Sequence, residues 1–264
     1  MARIFAITNQ KGGVGKTTTS VNLAASLAAT KRRILMIDLD PQGNATMGCG
    51  VNKNEIELSA YDVLTKKAIC ADVIVRSEIG GFDVIPANGD LVAAEVELLN
   101  EIGREHRLRL ALNSIRHNYD FILIDCPPSL NMLTVNALSS AEGVIIPMQC
   151  EYYALEGLAA LMSTVEQIKE TINPDLRIAG ILRTMYDPRN SLTKDVSAEL
   201  EEYFDDLVFK VAIPRNVRLA EAPSHGLPVL YYDKASKGAI AYLALAGEIV
   251  RKTKVKTTPV LEAS

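Results

Sequence analysis

A short apolar run, Ile4–Thr8, leads into Asn9-Gln10-Lys11-Gly12-Gly13-Val14-Gly15-Lys16-Thr17-Thr18, and a helix-patterned stretch starts at Lys16. Strand, glycine-rich turn and helix in this order leave few folds open. The glycines let backbone N–H groups face inward, and the helix N-terminus adds a favourable dipole, so the turn suits phosphate oxygens. Lys16 supplies a cation for β- and γ-phosphates, and the Thr17 hydroxyl is placed to ligate Mg²⁺. The expected phosphate cradle is Lys11, Gly12, Gly13, Val14, Gly15, Lys16, Thr17 and Thr18.

The rest of the chain fits around that loop. Apolar runs at Ile4–Thr8, Ile34–Ile37, Phe82–Ile85, Phe121–Ile124, Val144–Met148 and Ile178–Leu182 read as strands. Between them lie helical patterns at Lys16–Ala29, Leu91–Asn113, Leu155–Ile172, Ser191–Phe204 and Gly238–Lys252. Strands this continuously apolar are buried on both faces. The expectation is an α/β fold of the P-loop NTPase class, a mostly parallel twisted sheet with helices on both faces. Gly103 is expected to break or kink the second helix. No repeat or long polar linker divides the chain, so residues 1–252 read as one domain and 253–264 as a flexible tail. The Gly- and Asn-rich stretch Asp40–Asn54 reads as a loop that orders when ligand binds.

Composition narrows the options further. A net charge of −4 means that any nucleic-acid contact needs a local basic patch. The four cysteines, Cys49, Cys70, Cys126 and Cys150, form no CxxC pair and read as reduced thiols. No apolar run approaches the ~20 residues that span a bilayer, and the N-terminus enters a strand at once, so a cytoplasmic location is expected.

Two apolar strands end in carboxylates. Phe121-Ile122-Leu123-Ile124-Asp125 puts Asp125 at the carboxyl edge of the sheet beside the loop, the Walker-B place, where it would hold Mg²⁺ through water. Ile34–Ile37 ends at Asp38-Leu39-Asp40-Pro41. Asp40 is the candidate to orient an attacking water. Asp38 is a candidate for water-mediated metal support or for bracing the loop; a turn or capping carboxylate is the alternative for each. The loop also departs from G-x-x-x-x-G-K-[ST]: Gln10 stands where glycine is usual, and Lys11 adds a second lysine. Two readings of Lys11 stay open. It is a solvated loop charge, or it reaches a nucleotide held by a second copy of the chain, as an arginine finger would.

The segments KGGVGKTT (Lys11–Thr18), DLDPQGNAT (Asp38–Thr46), DCPPSL (Asp125–Leu130) and IPRNVRLAEAPSHGLP (Ile213–Pro228) together resemble the ParA/Soj family of deviant Walker-A ATPases, over nearly the whole chain. The resemblance implies a chromosome- or plasmid-partitioning ATPase of the short form, without an N-terminal helix-turn-helix domain. It implies ATP and Mg²⁺, an ATP-sandwich homodimer, non-specific DNA binding in the nucleoid, and a ParB-type partner that stimulates slow hydrolysis. By the match, Lys11 crosses the dimer, Lys16 and Asp40 are catalytic, Pro214 and Asn216 hold adenine, and Arg189 and Arg218 contact DNA phosphates. Without the resemblance those two arginines read as solvated charges, because six acids lie between them.

Relatives with other roles define the rivals. A MinD-like, membrane-associated positioning ATPase needs a C-terminal amphipathic helix, whereas Val250–Pro259 is basic without a bulky apolar face, so no membrane contact is expected. A redox relative like the nitrogenase iron protein needs a dedicated cysteine pair. A nucleotide-gated scaffold, whose output is the dimer itself, overlaps with the partitioning reading.

Overall fold

The computed structural model describes residues 1–254. Seven strands form one sheet: β1 (Arg3–Ile7), β2 (Ile34–Asp38), β3 (Val75–Ser77), β4 (Phe82–Ile85), β5 (Phe121–Asp125), β6 (Gly143–Gln149) and β7 (Arg177–Thr184). Their order is β3-β4-β2-β5-β1-β6-β7. Neighbours are parallel throughout except β3, which runs antiparallel to β4. β1 lies between strands that follow it in opposite directions across the sheet, and such a switch point opens a crevice over the carboxyl ends of the strands.

Period-two alternation explains why the strands are apolar throughout. Ile4 and Ala6 of β1, with Ile122 and Ile124 of β5, enter one core. Phe5 and Ile7, with Phe121 and Leu123, enter the other. The first core is covered by the helices Leu91–Leu98, Met132–Ser140 and Ala154–Thr171. The second is covered by α1 (Lys16–Ala29) and the helix Lys237–Lys254. Leu23, Leu27 and Leu245 are fully buried there, and truncating any of them to alanine would cost about 2–5 kcal/mol.

Several expectations change. The helix expected over Leu91–Asn113 is split into Leu91–Leu98, a 3₁₀ turn at Arg104–His106 and Arg107–Leu112. The interruption falls at Gly103 as expected: Gly103 takes φ 67°, in the left-handed region, just before the 3₁₀ turn, while the first helix already ends at Leu98. Much of the apolar periodicity there faces outward: Val92, Val96 and Leu99 are exposed, and Ile102 is 99% exposed. β3 was not anticipated; it has three residues, Val-Arg-Ser, and lies at the sheet edge. The stretch Asp40–Asn54, expected as a loop, carries a short helix, α2 (Asn44–Gly48). The C-terminal helix runs on to Lys254, so Thr253 and Lys254 belong to it and not to a tail. The rest of the expected tail lies outside the described residues.

Candidate nucleotide and metal site

The glycine-rich loop is fixed from both sides. Asn9 Nδ2 donates to Pro147 O (2.8 Å), and Asn9 Oδ1 accepts the Lys11 N–H (3.0 Å). Proline has no N–H of its own to add to the β1–β6 ladder, whose last matched pair is Ile7 with Ile145. Thr184 Oγ1, at the end of β7, donates to Val14 O (2.8 Å), and Gln149 Nε2 reaches Gly13 O (3.3 Å). Gly15 takes φ 88° at the start of α1, a conformation that a side chain would strain. The loop therefore offers N–H groups at a helix terminus from a braced backbone.

Lys16 is 8% exposed, and its Nζ donates to Lys11 O (3.2 Å), across the mouth of its own loop. Burial lowers its pKa, opposed by the nearby Asp125 and Asp40 carboxylates. Asp125 is fully buried at the end of β5. Its Oδ2 accepts from Thr17 Oγ1 (2.9 Å) and its Oδ1 from Ser20 Oγ (2.7 Å). Thr17 and Asp125, two of the residues assigned to metal from the sequence, thus stand in contact. Ser20, one turn further along α1, was missed; a serine inside a helix carries no sequence signal for such a bond.

Asp38 faces Asp125 in register across β2 and β5. Its Oδ1 accepts the Asp40 N–H (3.0 Å), and its Oδ2 accepts both the N–H and the hydroxyl of Thr46 (2.8 Å each). These bonds make Asp38 a staple between the β2 terminus and α2, the bracing role of its two sequence readings, and Oδ1 keeps one acceptor site free. Asp40, partly exposed, accepts the Gln42 N–H with one oxygen (2.9 Å) and is close enough to Lys16 to oppose its loss of charge. Burial pushes the Asp38 and Asp125 carboxyls up, and proximity adds to it for Asp125.

Lys11 points outward and pairs with Glu151 of the same chain, Nζ to Oε2 2.6 Å. The chain separation is 140 residues, so no local pattern could reveal it. Beside this pair Tyr152 and Tyr153 stand 74% and 71% exposed.

The adenine candidates sit on the segment that continues β7. Pro214 bridges Tyr186, and Val229 N–H donates to Asn22 Oδ1 of α1 (2.7 Å), which holds the 213–228 segment against the loop helix. Asn216 Oδ1 is buried with no hydrogen-bond partner. A buried acceptor without a donor is costly, and a ligand N–H would satisfy it. The DNA candidates are compensated at home: Arg189 forks onto Asp187 (2.9 and 2.7 Å), and Arg218 meets Glu221 (2.7 Å) and Asp233 (3.3 Å). Cys126 and Cys150 are buried, and burial pushes both thiols up, so neither offers a surface thiolate for a shared cluster.

A P-loop cradle over a parallel sheet, with a Walker-B carboxylate bonded to the loop threonine, defines the nucleotide-binding class. The AAA domain family profile matches residues 2–178. The sporulation initiation inhibitor protein Soj of Bacillus subtilis is 54% identical over 249 residues, covering 94% of this chain and 98% of that protein. The chromosome partitioning protein ParA of Caulobacter vibrioides is 50% identical over 254 residues, covering 96% and 95%. A crystal structure of cobyrinic acid a,c-diamide synthase from Mycobacterium smegmatis, with bound ATP analog and magnesium, superposes with a TM-score of 0.84 at 37% identity and 96% coverage of each chain. The chain belongs to the ParA/Soj family of P-loop ATPases.

Proposed function

We propose that this chain is a DNA-partitioning ATPase. It binds ATP with Mg²⁺, pairs with a second copy around the nucleotides, holds DNA of any sequence in that paired state, and hydrolyses ATP slowly until a ParB-type partner stimulates it. One observation carries the catalytic part: Thr17 and Ser20 converge on Asp125 beside buried Lys16, under a braced glycine loop. The relatives named for partitioning, at 50% identity over nearly the full chain, carry the biological part. The synthase neighbour is less similar at 37%, and its name describes that protein's own reaction.

The residues present fit an ATP–Mg²⁺ pair, since the loop offers N–H donors and Asn216 an unmet acceptor. Thr17 would hold Mg²⁺ directly and Asp125 through water, and the ion would neutralise phosphate charge. Lys16 and the loop N–H groups bind the β- and γ-phosphates. Asp40 orients the attacking water from its loop, which Asp38 and Thr46 keep in place. Asn216 accepts from the adenine amino group, and Pro214 packs on the ring. Lys11 leaves Glu151 and contacts the nucleotide of the partner copy.

DNA contact through Arg189 and Arg218 requires phosphate to replace Asp187, Glu221 and Asp233 as their counter-charges, so this binding is weak per chain and depends on the doubled surface of a dimer. Location in the nucleoid follows from that binding. A membrane-positioning role has less support. No helix among the described residues is long and apolar enough to cross a membrane. The helix Lys237–Lys254 also packs Ala239, Tyr242, Leu245 and Ile249 into the core, and Ile240 is its one large apolar side chain exposed among the described residues.

The test is light scattering of purified protein with ATP, ADP or no nucleotide. A dimer with ATP only, absent in Lys11→Ala, is expected; a constant oligomeric state in all three conditions would sink the proposal.

A further inference from the structure

We propose that the amino edge of the sheet carries a second anion site, which takes phosphate or a small phosphomonoester and is separate from the glycine-rich loop. A concavity of about 270 Å³ opens at that edge, lined by Arg3, Arg109, Arg116 and Arg177 against only two carboxylates, Glu142 and Asp175. The local excess of two positive charges stands out in a chain whose net charge is −4.

The excess follows from how the charges are shared. The residues entering the sheet alternate in sign along its amino edge: Arg33 before β2, Asp120 before β5, Arg3 at the start of β1, Glu142 before β6 and Arg177 at the start of β7. Arg33 meets Asp120 (3.4 Å) and Arg3 meets Glu142 (2.9 Å), which ties the strand ends together. Arg116 then approaches the same Glu142 carboxylate (3.6 Å), so two guanidinium groups share one anion. Among the described residues no ion pair forms at Arg109 or Arg177, and both are exposed at the rim. Arg116 Nε is buried without an acceptor. A dianionic phosphate supplies what this arrangement lacks, namely two negative charges and acceptors in the forked geometry that guanidinium prefers.

Size agrees with the charge. The open concavity has room for phosphate or a phosphorylated sugar. β1 has five residues at about 3.3 Å each, which puts its two ends roughly 15 Å apart. One small ligand cannot span this site and the glycine-rich loop.

Calorimetry on the full chain tests the proposal, with the glycine-rich loop filled by saturating Mg²⁺–ADP and either inorganic phosphate or ribose 5-phosphate as titrant. Binding is expected to persist with the loop filled and in nucleotide-free Lys16→Ala, and to weaken at least tenfold in Arg109→Ala/Arg177→Ala. Arg109→Lys/Arg177→Lys keeps the charge without the fork and should fall between. Tighter binding of the sugar phosphate would name a phosphorylated metabolite as ligand, and equal binding free phosphate; either order supports the site. No binding with the loop filled, or equal binding by the double alanine variant, would overturn it. So would loss of DNA binding in that variant without any phosphate binding, which would give the edge to nucleic acid.

Discussion

Lys11 Nζ lies 2.6 Å from Glu151 Oε2 in the same chain, with both side chains about half exposed at 46% and 51%. An exposed pair of this kind contributes about 0.2–1 kcal/mol, so it holds Lys11 in place without locking it there. Glu151→Gln is expected to change unfolding free energy by less than about 1 kcal/mol and to lower the protein concentration at which ATP drives dimer formation. Lys11→Ala should change stability as little but lose the dimer. Sedimentation velocity with ATP separates the two; an intact dimer in Lys11→Ala would leave this lysine as a surface charge.

The buried pair Asp38 and Asp125 makes the nucleotide-free protein pH-sensitive. Burial raises the carboxyls from their ordinary 3.8, to about 6 for Asp38 and about 8 for Asp125. A carboxyl raised in the folded state gives stability that is complete below its unfolded value and is lost as pH rises through its folded value. The melting temperature without nucleotide should therefore fall between pH 5 and 8. Asp125→Asn should remove most of that slope, and Mg²⁺ affinity should rise over the same window, because the ion favours the ionised form. A flat melting profile for the unsubstituted protein would contradict this.

Thr46 links two parts of the site. Its hydroxyl donates to Asp38 (2.8 Å) and accepts the Ala87 N–H (2.9 Å), at full burial. Thr46→Val keeps the shape but strands the Ala87 N–H, at a cost of about 1–3 kcal/mol. Urea denaturation should show the shift, and turnover should drop because the Asp40 loop loses its brace. Unchanged stability would mean that water replaces the hydroxyl.

Asn216 is expected to behave in the opposite way. Its Oδ1 has no partner in the chain, so Asn216→Ala removes an unmet acceptor and should leave stability the same or slightly higher. ATP affinity should nonetheless fall about tenfold, the worth of roughly one hydrogen bond in a desolvated pocket. Fluorescent-nucleotide displacement measures it; unaltered affinity would remove Asn216 from the adenine pocket.

Much of this could be read along the chain, for physical reasons that can be named. The glycine loop, Lys16, Thr17 and the Asp125 strand end are local patterns, and the parallel strands announce themselves by being apolar on both faces. The helical pattern over 91–113 forms two helices, Leu91–Leu98 and Arg107–Leu112, with the expected break at Gly103 between them, but Val92, Val96 and Leu99 face outward, because spacing does not say which way a face points. β3 is too short and too polar at Arg76 to stand out. The partners of the site residues come from far away: Glu151 for Lys11, and Thr184, at the end of β7, for Val14. Such contacts depend on strand order, which no local window contains.

The most direct measurement is fluorescence anisotropy of an unrelated DNA duplex with ATP, ADP or no nucleotide, repeated over a salt series. The account predicts binding with ATP alone, independent of sequence, falling steeply with salt, and lost in Lys11→Ala. Equal DNA binding in all three nucleotide states, or none in any, would contradict it.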